Sequence, residues 1–161
     1  MVLILPLGLL AHTQGGKISK RKVASVFSSF KNSKGVESLS LGRLGTSLLK
    51  GAAKLADDGD GDTRQALTAM KGLTGISILS YEEAEKPLQQ KISSRLQSIL
   101  ADAELLMEAK DEGETVKIYG SVNEKTGKLS DVAFFAPSDC AFIFLSGSFD
   151  IEDLTKVLDK Q

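Results

Sequence analysis

Three carboxylates stand at alternate positions of a glycine-bearing loop, Asp58-Gly59-Asp60-Gly61-Asp62, and oxygen ligands at that spacing could hold a calcium ion. An EF-hand loop also needs glycine at its sixth position and a bidentate glutamate at its twelfth. Counted from Asp58 these are Thr63 and Ala69, so the EF-hand is excluded. Asp58, Asp60 and Asp62 then remain only weak metal candidates, and a solvated turn is the simpler expectation. Cys140 opens an apolar run, Ala141 to Leu145, with no neighbouring cation to stabilise a thiolate, so it is expected to be a buried structural thiol. Gly42, Gly45 and Gly51 lack the spacing of a P-loop or a dinucleotide fingerprint. Ser28-Ser29 and Ser93-Ser94 have no base beside them. The carboxylate pairs Glu82-Glu83 and Asp111-Glu112 fall at expected helix ends, with no sign of the two unlike environments that acid–base catalysis needs. No catalytic residue and no cofactor are assigned.

The sole histidine, His12, lies in an apolar start, Met1 to Ala11, too short for a membrane span. Ala11 and Thr13 place small residues at −3 and −1 of a cut before Gln14. Residues 1–13 are therefore expected to be a secretion signal, although no Lys or Arg precedes Lys17, and 14–161 a single domain. Cleavage would leave a mature chain with no histidine. One cysteine excludes an intrachain disulfide.

The 161 residues are 42% hydrophobic and 25% charged, a globular composition. A formal net charge of −1 argues against a nucleic-acid binder. The charge is unevenly placed. Residues 1–54 hold nine Lys or Arg and one acid, Glu37, a net of +8; the remainder is −9. Either the two halves neutralise each other within the fold, which is the expectation, or the first half makes a basic face for an anionic surface or an acidic envelope partner.

The elements follow from periodicity. Val23, Val26, Phe27 and Phe30 predict a helix over 17–31, stopped near Gly35. Val36, Leu39 and Leu41 suggest a short strand. Leu44, Leu48, Leu49, Ala52 and Leu55 suggest a second helix, and Ala66, Leu67 and Met70 a short third. Ile76 to Leu79 reads as a strand. The spacing of Leu88, Ile92, Leu96, Ile99, Ala103 and Leu106 predicts one long helix from Glu82 to about Lys110, ended by Gly113. Period two follows in Val116 to Val122, with one face buried and one wet; the next strand runs from Leu129 to Ala136, and Ala141 to Leu145 is an unbroken apolar run, as expected of a central strand covered on at least one face. Asp150 would cap a last helix bearing Ile151, Leu154, Val157 and Leu158. The expected fold is α+β: a two-layer sandwich, mainly antiparallel sheet with helices packed on one face.

This order of pieces resembles a bacterial family known as domain of unknown function 4252. The resemblance rests on Gly35 to Leu41, Leu73 to Leu79, Asp111 to Tyr119, the strand ending at Phe135, and Phe144 to Leu154. It implies a small exported protein of a Gram-negative envelope and supplies no catalytic residues. Some members are lipoproteins; this chain has no lipidation cysteine near the leader. The function expected is a non-catalytic binding or interaction protein, the alternatives being a small carboxylate-dependent enzyme or a weak calcium-binding module.

Replacing Asp58, Asp60 and Asp62 together by Asn should change stability by less than ~1 kcal/mol, as surface substitutions usually do. Thermal melting with and without millimolar calcium checks this, and a loss confined to the calcium-containing sample would restore the metal reading.

Overall fold

The computed structural model describes residues 2–4, 16–46, 70–150 and 152. Seven strands, β1 Val2–Ile4, β2 Glu37–Leu41, β3 Leu73–Ser80, β4 Leu105–Asp111, β5 Glu114–Val122, β6 Lys128–Ala136 and β7 Ala141–Asp150, form one sheet in the order β1-β4-β5-β6-β7-β3-β2. Every pairing between these strands is antiparallel. The two described helices are α1, Lys20–Phe30, and α2, Lys86–Leu100. The architecture is mixed α+β.

Helix α1 begins where the Ser19 hydroxyl accepts from the Lys22 amide at 3.3 Å, satisfying one of the free donors of the first turn. Its apolar stripe Val23, Val26, Phe27 and Phe30 is buried, as its spacing predicts. In α2, Pro87 sits in the first turn, where its missing N–H costs nothing, and Ile92, Leu96 and Leu100 are buried. These residues join Leu79, Ala133, Phe135, Phe142 and Phe144 of the sheet in one core cluster. The strand register puts Phe135 opposite Phe142 and Ala133 opposite Phe144, so these four side chains share a face.

The long helix is shorter than its periodicity predicts. It stops at Leu100, and Leu105–Asp111 is strand β4, paired with β5 from Asp111↔Glu114 to Leu105↔Tyr119. Nothing in Ala101 to Glu104 is a helix stop, so the apolar spacing runs on past the real end. What ends the helix is the pairing that β5 offers. Glu112 and Gly113 both have positive φ, 47° and 86°, the two-residue primed turn that matches the twist of a hairpin. Gly113 is thus a hairpin residue and not a helix terminator.

The expected wet face of β5 is partly covered, and β7 is apolar on both faces, as its unbroken run suggests. Tyr119 packs with the helix-side cluster, while Ile76, Leu106, Ile118, Phe134 and Leu145 pack around a second cluster of Leu73, Leu129, Val132 and Phe149. Ile143 lies opposite Phe134 and Ile78, on the face away from Phe142, and is only half-buried. β7 runs on to Asp150, whose carboxylate accepts from the Glu152 amide at 2.9 Å. Apart from Glu152, the expected helix beyond Asp150 lies outside the described residues, as do all but residues 43–46 and Met70 of the second and third expected helices.

The link from α1 to β2 is tight. Gly35 has φ +81°, and a Cβ there would press into the Glu83 carbonyl and lie 2.5 Å from the Ala84 nitrogen. Only glycine fits both the angle and the space.

Leu96→Ala should cost ~2–5 kcal/mol in chemical denaturation, the usual range for a buried aliphatic. Its neighbour Arg95 is half-buried and holds its guanidinium carbon 5.7 Å from the centroid of the Phe30 ring. Arg95→Ala should cost no more than ~1 kcal/mol. Equal losses would show the helix faced wrongly.

Candidate functional site: a cation-rimmed groove

One flank of α1 does not touch the core. Lys20, Ala24, Ser28 and Lys31 follow one another around the helix beside the buried stripe, and with Phe27 they form one wall of a cavity of about 610 Å³. The floor is the part of the sheet that α1 leaves open. Ser38 and Ser40 of β2, Ser77 of β3, and Phe144 and Ser146 of β7 line it. The register explains why these side chains meet: Ser40 is opposite Ser77, Ser77 opposite Phe144, and Gly75 opposite Ser146. The Ser40 and Ser77 hydroxyls are 3.5 Å apart. Gly75 leaves the floor low, since a Cβ there would sit 3.4 Å from the Ser146 hydroxyl and 3.3 Å from the Leu41 carbonyl.

One end is closed by Leu41, Gly42 and Arg43. Residues 43–46 make a helical turn in which the Thr46 amide donates to the Gly42 carbonyl at 2.9 Å. The Thr46 hydroxyl is buried and donates to the Arg43 carbonyl at 3.0 Å. Arg43 therefore leaves β2 on an ordered turn.

The described lining residues include three cations, Lys20, Lys31 and Arg43, and no carboxylate. Lys20 meets Asp131 at 3.8 Å, but Lys20 is 62% exposed, so water screens the pair. Asp131 has a second task. It stands at φ 50° where the β6–β7 register shifts, and its carboxylate accepts from the Gly147 amide at 3.1 Å.

Among the described residues, ion pairs neutralise little of the charge asymmetry. Seven of the nine cations in residues 1–54 are described and all are exposed. Only Lys20 forms an ion pair with a described acid. Hydroxyls and cations facing one groove can attract and orient an anion. No described lining residue is a histidine or a carboxylate that could serve a serine as base.

The candidates singled out from sequence lie elsewhere. Asp58, Asp60 and Asp62 are outside the described residues. Among the described residues no group of three His, Cys, Asp or Glu could hold a metal. Glu82 and Glu83 are exposed in the turn before α2, and Asp111 and Glu112 are exposed at the β4–β5 turn. The structure does not bring these pairs together at the groove. The floor serines escaped notice because each is unremarkable alone. The signal was the alternation Ser38-Leu39-Ser40-Leu41, which marks a strand with one polar face; the strands beside it are not readable from that pattern.

Two buried groups elsewhere are held neutral. Tyr81 is fully buried, and burial raises its pKa above 10.0 against the opposing effect of its 2.7 Å hydrogen bond with the Ser93 hydroxyl, with Cys140 adding to the rise. Cys140 adopts the left-handed conformation, φ 52°, between the turn Pro137–Asp139 and β7. Burial pushes its thiol above 9.0, and the negative charges of Glu82 and Asp139 push it further. A raised pKa leaves less thiolate at any given pH. Alkylation of Cys140 at pH 8 should therefore be at least tenfold slower in the native protein than in guanidinium, on the order of what thiolate fraction and access dictate. Equal rates in a thiol-reagent assay would show the thiol exposed.

No curated protein and no solved structure matches the chain. A family model does, over residues 30–157, which takes in β2 to β7 and α2. The chain belongs to the family described as Domain of unknown function (DUF4252).

Proposed function

We propose that this is an exported, non-catalytic binding protein of the bacterial cell envelope, with the groove beside α1 as its binding site. The observation that carries the reading is the make-up of that groove: Lys20, Lys31 and Arg43 around a serine floor, with no acid among the described lining residues. Its volume, about 610 Å³, falls in the range of small-ligand sites, ~300–1,000 Å³. The partner is anionic. The fold is read as a two-layer sandwich, and the support is that α1, α2 and one face of β3, β6 and β7 share a single cluster.

Export rests on the apolar start and the small residues before Gln14. Val2–Ile4 form β1, paired with β4 at the edge of the sheet. A cut before Gln14 would remove that strand and leave the outer edge of β4 open. Among the described residues no helix is long and apolar enough to cross a membrane.

Two measurements test this reading. Mass spectrometry of the envelope fraction of the native host should find a mature N-terminus at Gln14; intact Met1 there would reject the leader. Binding of polyglutamate or polyphosphate should weaken at least tenfold when Lys20, Lys31 and Arg43 are changed together to Glu, because exposed charges act through long-range attraction. Unchanged binding of both probes would remove the groove from the function.

A further inference from the structure

We propose that the groove's ligand is an extended acidic segment of another protein, which adds as a strand to the edge of β2 that no described strand covers. This rests on the groove being the binding site and names its partner.

Three observations converge on that edge. Among the described residues β2 pairs only with β3, so one side of its backbone has donors and acceptors without a strand partner. Sheet edges are usually blunted by a proline, a bulge or an inward charge. Glu37-Ser-Leu-Ser-Leu41 contains no proline, pairs with β3 without a register shift, and carries its one charge at its first residue. Leu39 and Leu44 are 48% and 83% exposed, two of the three large apolar side chains most open to water among the described residues, and both belong to or follow this strand.

The two faces of the edge differ. Ser38 and Ser40 face the groove, while Leu39 pairs with Ile78 on the other side. A strand added here would alternate in the same way. Its groove-side residues would face Lys31 and Arg43, with Lys20 further in beside Asp131 of β6, and its other residues would cover Leu39. The matching segment alternates acidic and apolar side chains. The lengths agree: from Lys20 to Lys31 the helix wall rises ~16 Å at ~1.5 Å per residue, and a five-residue strand spans ~16 Å. Main-chain hydrogen bonds would supply affinity and the cations specificity, the division of labour usual in strand addition. A second copy of β2 fits less well. It offers serines to the groove side and would bring two sets of like charges together.

The probe is a short acetylated and amidated peptide alternating Val and Glu, with a block isomer of the same composition and a Val–Lys counterpart as controls. Fluorescence anisotropy on the full chain should show the alternating Glu peptide at least tenfold tighter than the block isomer and the Lys peptide not bound. Hydrogen exchange should slow at the amides of residues 37–41 on binding. Leu39→Asp and Lys31→Glu, both at exposed positions, should each weaken binding at least tenfold with melting temperature unchanged. If the two Glu peptides bind equally and β2 is not protected, strand addition is overturned while the anion-binding reading stands. A dimer mass with β2 already protected in the free protein assigns the edge to a second copy and also overturns the proposal. If no anion responds to charge reversal in the groove, both readings fall.

Discussion

The contact on which the domain depends is the aromatic stack of Phe27, Phe142 and Phe135. Phe27 of α1 meets Phe142 edge-on at 6.2 Å, and Phe142 meets Phe135 at 6.4 Å. Such pairs add ~0.5–1.5 kcal/mol beyond the area they bury. Their position matters more than that energy. Phe142 and Phe135 face each other only in the observed β6–β7 register, and a slip of one residue would put them on opposite faces of the sheet. The register thus decides which face receives the helices. α1 is anchored through Phe27 over β7, and α2 completes the cover through Ile92, Leu96 and Leu100.

The groove follows from that anchoring. A helix seated on Phe142 cannot also cover β2, two strands away in the sheet order. The uncovered strip of β2 and β3 carries serines where the covered strands carry phenylalanine. Ser77 sits opposite Phe144, and Ser40 lies one strand further out. The change from aromatic to hydroxyl marks where the core ends and the solvent-filled side begins. The same step separates the buried stripe of α1 from its lysine flank.

Much of this was legible from sequence. The stripe Val23, Val26, Phe27 and Phe30 set out α1 and the alternation of Leu129 to Ala136 marked β6; Gly35 has the positive φ expected of it but lies in the link to β2, after a helix that has already ended at Phe30. The end of α2 was not, because Ala103 and Leu106 continue a helical spacing that only the pairing of β4 with β5 overrides. Nor was the apolar second face, since a residue such as Ile143 or Phe134 declares itself buried without declaring on which side. The groove was half legible. Its cations stood out as an excess in the first 54 residues, but they come from α1 and from the turn after β2. The serines that join them come from three strands, Ser146 and Ser38 being more than a hundred positions apart in sequence. Local pattern carries the polarity of a strand; it does not carry the identity of its neighbours.

Gly35 gives the groove a fixed geometry. The connection from Phe30 to Glu37 is short and is pinned against the backbone of Glu83 and Ala84 at a point where no side chain fits. Helix wall and strand floor are thus two legs of a single rigid bracket, and the angle between them is set at its corner and not by the residues that line it. A lengthened or loosened corner would widen the opening while leaving every lysine and serine in place. Selectivity for the thickness of an incoming chain is therefore separable from selectivity for its charge, and each can drift without disturbing the other.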